Sequence, residues 1–211
     1  MGVWEWLINA DKELFTLINV DGSVGFLDGF MKMMRNQYTW IPLYAFLLFF
    51  IFKAAGKQAW QFIALTLLCF AITDYTSASI IKPMLGRLRP CHDPELLDEV
   101  RMLVGCGGPY SFPSSHASNH FGLATFWYLA INRVTRHRWM WLWFWAGLVC
   151  YAQIYVGKHY PLDIAGGALL GFLAGSLCFE LFDRWITPGS GKFNRQDGQR
   201  WHGHRETPHL N

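Results

Sequence analysis

The chain has few charged residues. Only 16% of its 211 residues are Asp, Glu, Lys or Arg, against about 25% in an average soluble domain. Hydrophobic residues make up 52% of the sequence and aromatic residues 17%. This composition argues against an ordinary soluble protein. It predicts an all-α membrane protein built as one domain.

A strong excess of positive charge is also absent. The formal net charge is +3, and the polar C-terminal tail has no basic stripe interleaved with aromatic residues, so we expect no nucleic-acid partner. A cleavable signal peptide is not visible either. The N-terminus lacks a basic region, and Asp11, Lys12 and Glu13 interrupt the apolar stretch that follows.

Cysteine is sparse, with five residues in the chain. Three of them lie in apolar runs and are expected to be buried and inert: Cys69, Cys150 and Cys178. Cys91 and Cys106 flank a long polar loop. They would form a disulfide if that loop faces an oxidising compartment, and two free thiols are the alternative.

Five long apolar stretches predict the architecture. Each is close to the ~20 residues that cross a bilayer core. They are 38–55, 58–81, 114–132, 139–155 and 162–186. The mixed segment 1–37 is predicted to form amphipathic helices in the membrane interface. The expected fold is a polytopic membrane helix bundle of about five transmembrane helices, with a functional domain at 38–187, an outward loop at 82–112 and a disordered cytoplasmic tail at 188–211.

The basic residues orient this bundle. Lys53 lies at the end of the first stretch and Lys57 just after it, three arginines lie at 133–138, and more basic residues follow the fifth stretch. These regions fall on one side if five spans alternate, and that side is predicted to be cytoplasmic. The loop 82–112 and the turn 156–161 then face outward.

Three short segments at outward ends of the predicted spans carry candidate chemistry. Lys82, Arg87 and Arg89 are three cations within eight residues, suited to phosphate oxygens. Their alternative role is to extend towards lipid headgroups, and for Arg87 we favour that interpretation. Ser114 suits a helix N-cap whose free backbone N–H groups attract anions, and His116 lies in the first turn after it.

The third segment pairs His159 with Asp163. A carboxylate on one ring nitrogen fixes the tautomer and leaves the other nitrogen as a nucleophile; a coincidental surface pair is the alternative. His120, four residues after His116, is expected to be a packed polar residue. Asp74, within an apolar stretch, needs a partner and either braces the site or bonds to a neighbouring helix.

Together these segments resemble the type-2 phosphatidic acid phosphatase superfamily, which also includes vanadium haloperoxidases and glucose-6-phosphatase. The family pattern is K-x6-RP, then PSGH, then SR-x5-H-x3-D. Eight residues match it: Lys82, Arg89, Pro90, Pro113, Ser114, His116, His159 and Asp163. Ser115 replaces the glycine, and Ala152-Gln153 replaces the Ser-Arg pair.

The resemblance implies a two-step reaction that needs neither metal nor cofactor. His159 would attack phosphorus, Asp163 would orient it, and His116 would protonate the leaving oxygen and then activate water. The phosphate-binding residues would be Lys82, Arg89, Ser114, Ser115 and Gln153. The implied protein is a lipid phosphate phosphatase of the bacterial inner membrane, with its site facing the periplasm or exterior.

The implied substrates are phospholipids or isoprenoid phosphates: undecaprenyl diphosphate, phosphatidic acid, phosphatidylglycerophosphate or a lipid A phosphate.

The departure at position 153 leaves other interpretations open. Gln153 is neutral and cannot replace the charge of the missing arginine, and Arg87 or Arg101 could supply that charge instead. A non-catalytic lipid-phosphate binding protein is the alternative function. A metal site built from His116, His120, His159 and Asp163 is a third hypothesis, which the neighbouring cations oppose.

Overall fold

The computed structural model describes residues 2–187, which form eight α-helices. They are α1 (Val3–Thr16), α2 (Leu27–Arg35), α3 (Ile41–Ala55), α4 (Ala59–Tyr75), α5 (Lys82–Leu85), α6 (Ser115–Thr135), α7 (Trp141–Tyr155) and α8 (Pro161–Ile186). Helices account for 76% of the structure, and no strand forms within the described range. The all-α prediction is confirmed. The predicted disorder of 188–211 lies outside the described residues.

The five apolar stretches correspond to α3, α4, α6, α7 and α8. Two helical stretches are long and apolar enough to be candidate membrane spans, Gln37–Leu85 and Pro161–Ile186. The first contains α3, α4 and α5 in succession. α7 has only 15 residues, and α6 carries Ser, His and Asn side chains among its buried positions. The count of about five spans therefore stays a prediction.

α6 is the central helix of the bundle. Most of its residues are buried, and it packs against α4, α7 and α8. Its contact with α8 is unusually close because a stripe of glycines faces it. A Cβ added at any of these glycines would lie 2.4 Å from a carbonyl oxygen of α6 or of its N-cap residue: Gly167, Gly171 and Gly175. The start of α8 is thereby held against the start of α6.

The two N-terminal helices pack on one end of this bundle. α1 buries Asp11 and Phe15, and the Phe15 ring meets the ring of Tyr160 edge-on at 5.3 Å. α2 buries Met31 and Met34 in a cluster with residues of α7. Both helices therefore contact the segment that carries the third motif. Their predicted position in the membrane interface is not tested by these contacts.

The polar loop between α5 and α6 is closed by a disulfide. Cys91 and Cys106 are joined, with their Cα atoms 6.2 Å apart, which is the paired alternative of the sequence analysis. Lys158 anchors the same loop, because its Nζ donates to the carbonyl oxygens of Gly105, at 2.8 Å, and Cys106. The three other cysteines are buried and free, as predicted.

Candidate active site

His159 lies in the turn between α7 and α8. Gly157 makes this turn with a φ of +87°, where a side chain would meet Met102 Sδ at 2.7 Å. The imidazole is only 3% exposed. Its Nδ1 is 3.4 Å from Asp163 Oδ2, and its Nε2 is 3.2 Å from Arg89 Nη1. Burial lowers the pKa of His159 to about 4, so the ring is neutral at neutral pH.

Asp163 is fully buried in the first turn of α8. Its carboxylate accepts hydrogen bonds from the backbone N–H of Tyr160, at 2.9 Å, and from Arg87 Nη1, at 2.8 Å. Arg87 Nη2 also contacts Asp11 Oδ2, at 2.5 Å. The favoured interpretation of Arg87 as a headgroup-facing residue is therefore wrong. Its guanidinium bridges two buried carboxylates, which hold it inside the protein.

Arg89 is held beside the His159 ring by backbone carbonyl groups. Its Nε donates to Gly108 O at 2.6 Å, and its Nη1 donates to Lys158 O at 3.0 Å. Burial lowers the pKa of Arg89, but a guanidinium stays charged in proteins. A fixed positive charge therefore lies next to the proposed nucleophile.

Lys82 and Ser115 meet beside the start of α6. Lys82 Nζ donates to Ser115 Oγ at 2.6 Å, and Ser77 Oγ donates to the same oxygen at 2.9 Å. Ser114 caps the helix, accepting a hydrogen bond from Ala117 N at 3.3 Å, and is fully buried. The first two motifs therefore meet at a helix N-terminus, where anions are stabilised.

The start of α6 is also tied to the third motif. The backbone N–H of Ser114 donates to Asp163 O at 2.9 Å. His116 is half-buried in the first turn of α6. Its ring lies parallel to that of His120, with centroids 6.3 Å apart. The three motifs thus converge at one end of the helix bundle.

The two residues of uncertain role have structural partners. The His120 ring packs against Trp145 with centroids 4.9 Å apart, which agrees with the packing interpretation. Asp74 Oδ1 accepts a hydrogen bond from Asn119 Nδ2 of α6 at 3.0 Å, so it bonds to a neighbouring helix. That helix is the one that carries His116.

The residues of the metal hypothesis do not form a group close enough to share an ion within the described chain. The group that does lie close together is Cys91, His92 and Cys106. Its two cysteines form the disulfide.

An apolar cleft leads to the site between α3, α4 and α6. It has a volume of about 650 Å³, and its polar end includes Asp74, Ser115 and His116. Apolar side chains line the rest, among them Ile41, Leu48, Phe62, Leu67, Phe70 and Leu123. Several of these, such as Leu67, are largely exposed, so the cleft opens on the side of the bundle.

Gln153 is fully buried in the last turn of α7. Its Oε1 is 3.5 Å from the Nε of Arg35, a residue that belongs to none of the three motifs. Arg101 contacts Asp28 and Arg87 is held by carboxylates, so neither of the two proposed substitutes is free. No local pattern indicates Arg35, since it is 118 residues from Gln153.

Comparison with known proteins gives the family. Residues 58–186 match the PAP2 superfamily. A lipid A 4'-phosphatase of Porphyromonas gingivalis is 32% identical over 86% of this chain and 78% of its own length. An undecaprenyl-diphosphatase of Sulfolobus acidocaldarius is 32% identical over 78% of this chain and 74% of its own length.

The fold also matches a solved structure. A transmembrane PAP2 type phosphatidylglycerolphosphate phosphatase from Bacillus subtilis superposes with a TM-score of 0.66, at 20% identity, over 90% of each chain. This likeness shows a shared fold. The family match over more than half the chain agrees with the three motifs, and the chain therefore belongs to the PAP2 superfamily.

Proposed function

We propose that this protein hydrolyses a phosphate monoester or diphosphate on a membrane lipid through a phosphohistidine intermediate. The phosphatase prediction agrees with the family and with the relatives' names. The observation that carries the mechanism is the placement of His159. A buried, neutral imidazole has a carboxylate on one nitrogen and the guanidinium of Arg89 beside the other.

The first chemical step uses this asymmetry. Nδ1–H of His159 faces Asp163, so the lone pair of Nε2 attacks phosphorus. The new N–P bond forms as the bond between phosphorus and the lipid oxygen breaks. His116 gives a proton to that oxygen. Water, activated by His116, then attacks the phosphohistidine, breaks the N–P bond and releases phosphate.

The phosphoryl oxygens would be held by fixed positive groups. Lys82 and Arg89 supply charge, while Ser115 supplies a hydroxyl beside Lys82. Ser114 acts by capping α6, which presents the first backbone N–H groups of that helix. Gln153 contributes a neutral amide. Such preorganised donors stabilise the charge that develops on the transferring group.

The cleft supports a lipid substrate. An apolar chain would lie along α3, α4 and α6, and the phosphorylated headgroup would reach the polar end near His116. The names of the relatives favour lipid A phosphate and undecaprenyl diphosphate as first candidates, with phosphatidylglycerophosphate and phosphatidic acid next. The protein would span a bacterial inner membrane about five times, with the site facing the periplasm or exterior.

Phosphate release by the detergent-purified protein, with EDTA present, tests this proposal across a panel of diphosphate and monophosphate lipids. His159→Ala should abolish release, and radiolabelled phosphate should be trapped on the wild-type protein only. His137→Ala, which changes an exposed histidine in the connection between α6 and α7, is the matched control. Full activity in His159→Ala would exclude the mechanism.

A second candidate function is non-catalytic binding of lipid phosphates, which the neutral Gln153 motivates. It predicts lipid binding that survives His159→Ala, with no phosphate release from any lipid. The same panel separates the two functions.

A further inference from the structure

Gln153 is a buried amide with only part of its hydrogen bonding satisfied. Its side chain is fully inaccessible, and its Nε2 has no partner among residues 2–187. A buried donor without a partner is costly. The same residue accepts a backbone hydrogen bond from Lys158 N at 3.0 Å, so it lies next to the segment that carries His159. The position of this amide suits a hydrogen-bond donor to a ligand of the active site.

The Oε1 of this amide points to Arg35, 3.5 Å from the guanidinium Nε. Arg35 is the last residue of α2, and the packing of α2 fixes where it lies. Met31 and Met34 are buried against α7, and Asp28 accepts a hydrogen bond from Tyr155 OH at 2.9 Å. The register of α2 on α7 therefore places Arg35 at the site.

Arg35 differs from Arg87 and Arg101 in its partners. Arg87 and Arg101 each contact carboxylates. Within the described residues, no carboxylate lies within 4 Å of Arg35. Burial lowers the pKa of Arg35, which reflects the cost of holding an uncompensated charge there.

The neighbours of Arg35 are themselves cations. Burial and then the charges of Arg89 and Arg35 lower the pKa of Lys158 to about 8, and Arg35 also acts against the charge of Arg89. The positive charge of Arg35 also acts on the imidazole of His116. These positive charges repel one another, and Arg35 has no carboxylate partner among the described residues. An anion that binds between them would therefore stabilise the cluster.

We propose that Arg35, oriented by Gln153, is a phosphate-binding residue that supplies from α2 the positive charge which the superfamily pattern places at position 153. The glutamine would accept from the guanidinium and direct it, while its free Nε2 donates to the phosphoryl group. The inference rests on the proposed function, since the anion is the phosphoryl group of the substrate. Arg35 lies outside residues 58–186, the part that matches the family.

Single variants test whether the charge of Arg35 is used. Arg35→Gln should lower kcat/KM on the order of 100-fold, as loss of one transition-state donor does, and weaken inhibition by inorganic phosphate at least tenfold. Arg35→Lys, which keeps the charge but not the fork of donors, should fall in between. Lys32→Gln removes an exposed cation from the same helix and should leave both quantities unchanged.

An exchange variant separates charge supply from a structural role. Arg35→Gln combined with Gln153→Arg returns the family arginine and should recover at least tenfold of the kcat/KM lost in Arg35→Gln. Gln153→Arg alone should not raise activity, because it sets two guanidinium groups side by side. If Arg35→Gln does not fold, Arg35→Lys and the exchange variant carry the test.

The outcomes distinguish this inference from the proposed function. Release that requires His159 but is unaffected by Arg35→Gln would overturn the role of Arg35 alone, as would an exchange variant no more active than Arg35→Gln. If no lipid is hydrolysed, calorimetric binding of inorganic phosphate still gives an answer. Weaker binding in Arg35→Gln then supports the phosphate-binding role, and unchanged binding refutes it.

Discussion

At the scale of single residues, Arg87 links the N-terminal helix to the carboxylate beside His159. It contacts Asp163, at 2.8 Å, and Asp11, at 2.5 Å. Asp11 also accepts from the backbone N–H of Leu162 at 2.8 Å, so it holds the start of α8 as well. Asp11 therefore acts on the site through other residues and is a positioning residue.

Asp11→Asn should weaken this link. Charged hydrogen bonds contribute about 1.5–3 kcal/mol, so we expect a fall in kcat on the order of tenfold with little change in KM. Steady-state kinetics on a lipid substrate would measure it, with the thermal midpoint recorded in the same detergent. Glu13→Gln, an exposed change on α1, serves as the control. An Asp11→Asn protein with wild-type kcat would show that Arg87 needs only Asp163.

The residues of the site were predictable where the motif is local and not where it depends on tertiary contact. His159 and Asp163 are four residues apart on a helix start, so their contact follows from spacing. Asp11 and Arg87 are 76 residues apart, and Arg87 looked like a cation at a span end. The packing of α1 on α8 is what brings the buried carboxylate of Asp11 to the guanidinium of Arg87.

At the scale of elements, the close contact of α6 and α8 brings the two helix starts together, and with them His116 on α6 and Asp163 on α8. The glycine stripe of α8 lets the two backbones touch. Small residues that recur every four positions along α8 are the pattern that permits such close packing. The short π-helical turn Thr76–Ile81 before Lys82 was not predictable, because apolar periodicity alone does not distinguish it from a continuing α-helix.

Gly171→Ala should separate these helices. The added Cβ would lie 2.4 Å from Ser118 O and 2.7 Å from Gly122 N, both backbone atoms that cannot move aside. Overpacking of this kind costs about 1–3 kcal/mol, so we expect a lower thermal midpoint and reduced phosphate release. Gly147→Ala on α7 has no atom within 4 Å of its new Cβ and should match the wild type. Equal stability of the two variants would contradict the packing argument.

At the scale of the whole molecule, the proposed membrane orientation follows from charge placed at opposite ends of the bundle. The motifs gather around the short helix α5 and the starts of α6 and α8. Basic residues lie at the opposite helix ends: Lys53 in the last turn of α3, Lys57 before α4, and the arginines of 133–138 at the end of α6 and just after it. The apolar runs predicted the helices well. They could not fix how many cross the membrane, because burial inside a bundle and exposure to lipid demand the same apolar residues.

Cysteine labelling would test the orientation. A cysteine introduced at the exposed Glu99 should react with a membrane-impermeant maleimide in intact spheroplasts, and one at His137 should react only after lysis. The wild-type chain, whose free cysteines are buried, is the background control. The reverse labelling pattern would place the site on the cytoplasmic side.

The side-opening cleft has a consequence for how the enzyme meets its substrate. Because apolar residues such as Leu67 line an opening towards the flank of the bundle, a lipid would arrive by diffusing within one leaflet. The relevant concentration is then the mole fraction of substrate in the membrane surface. Diluting the substrate with inert lipid at constant bulk concentration should slow the reaction, and adding more vesicles of the same composition should change a saturated rate little.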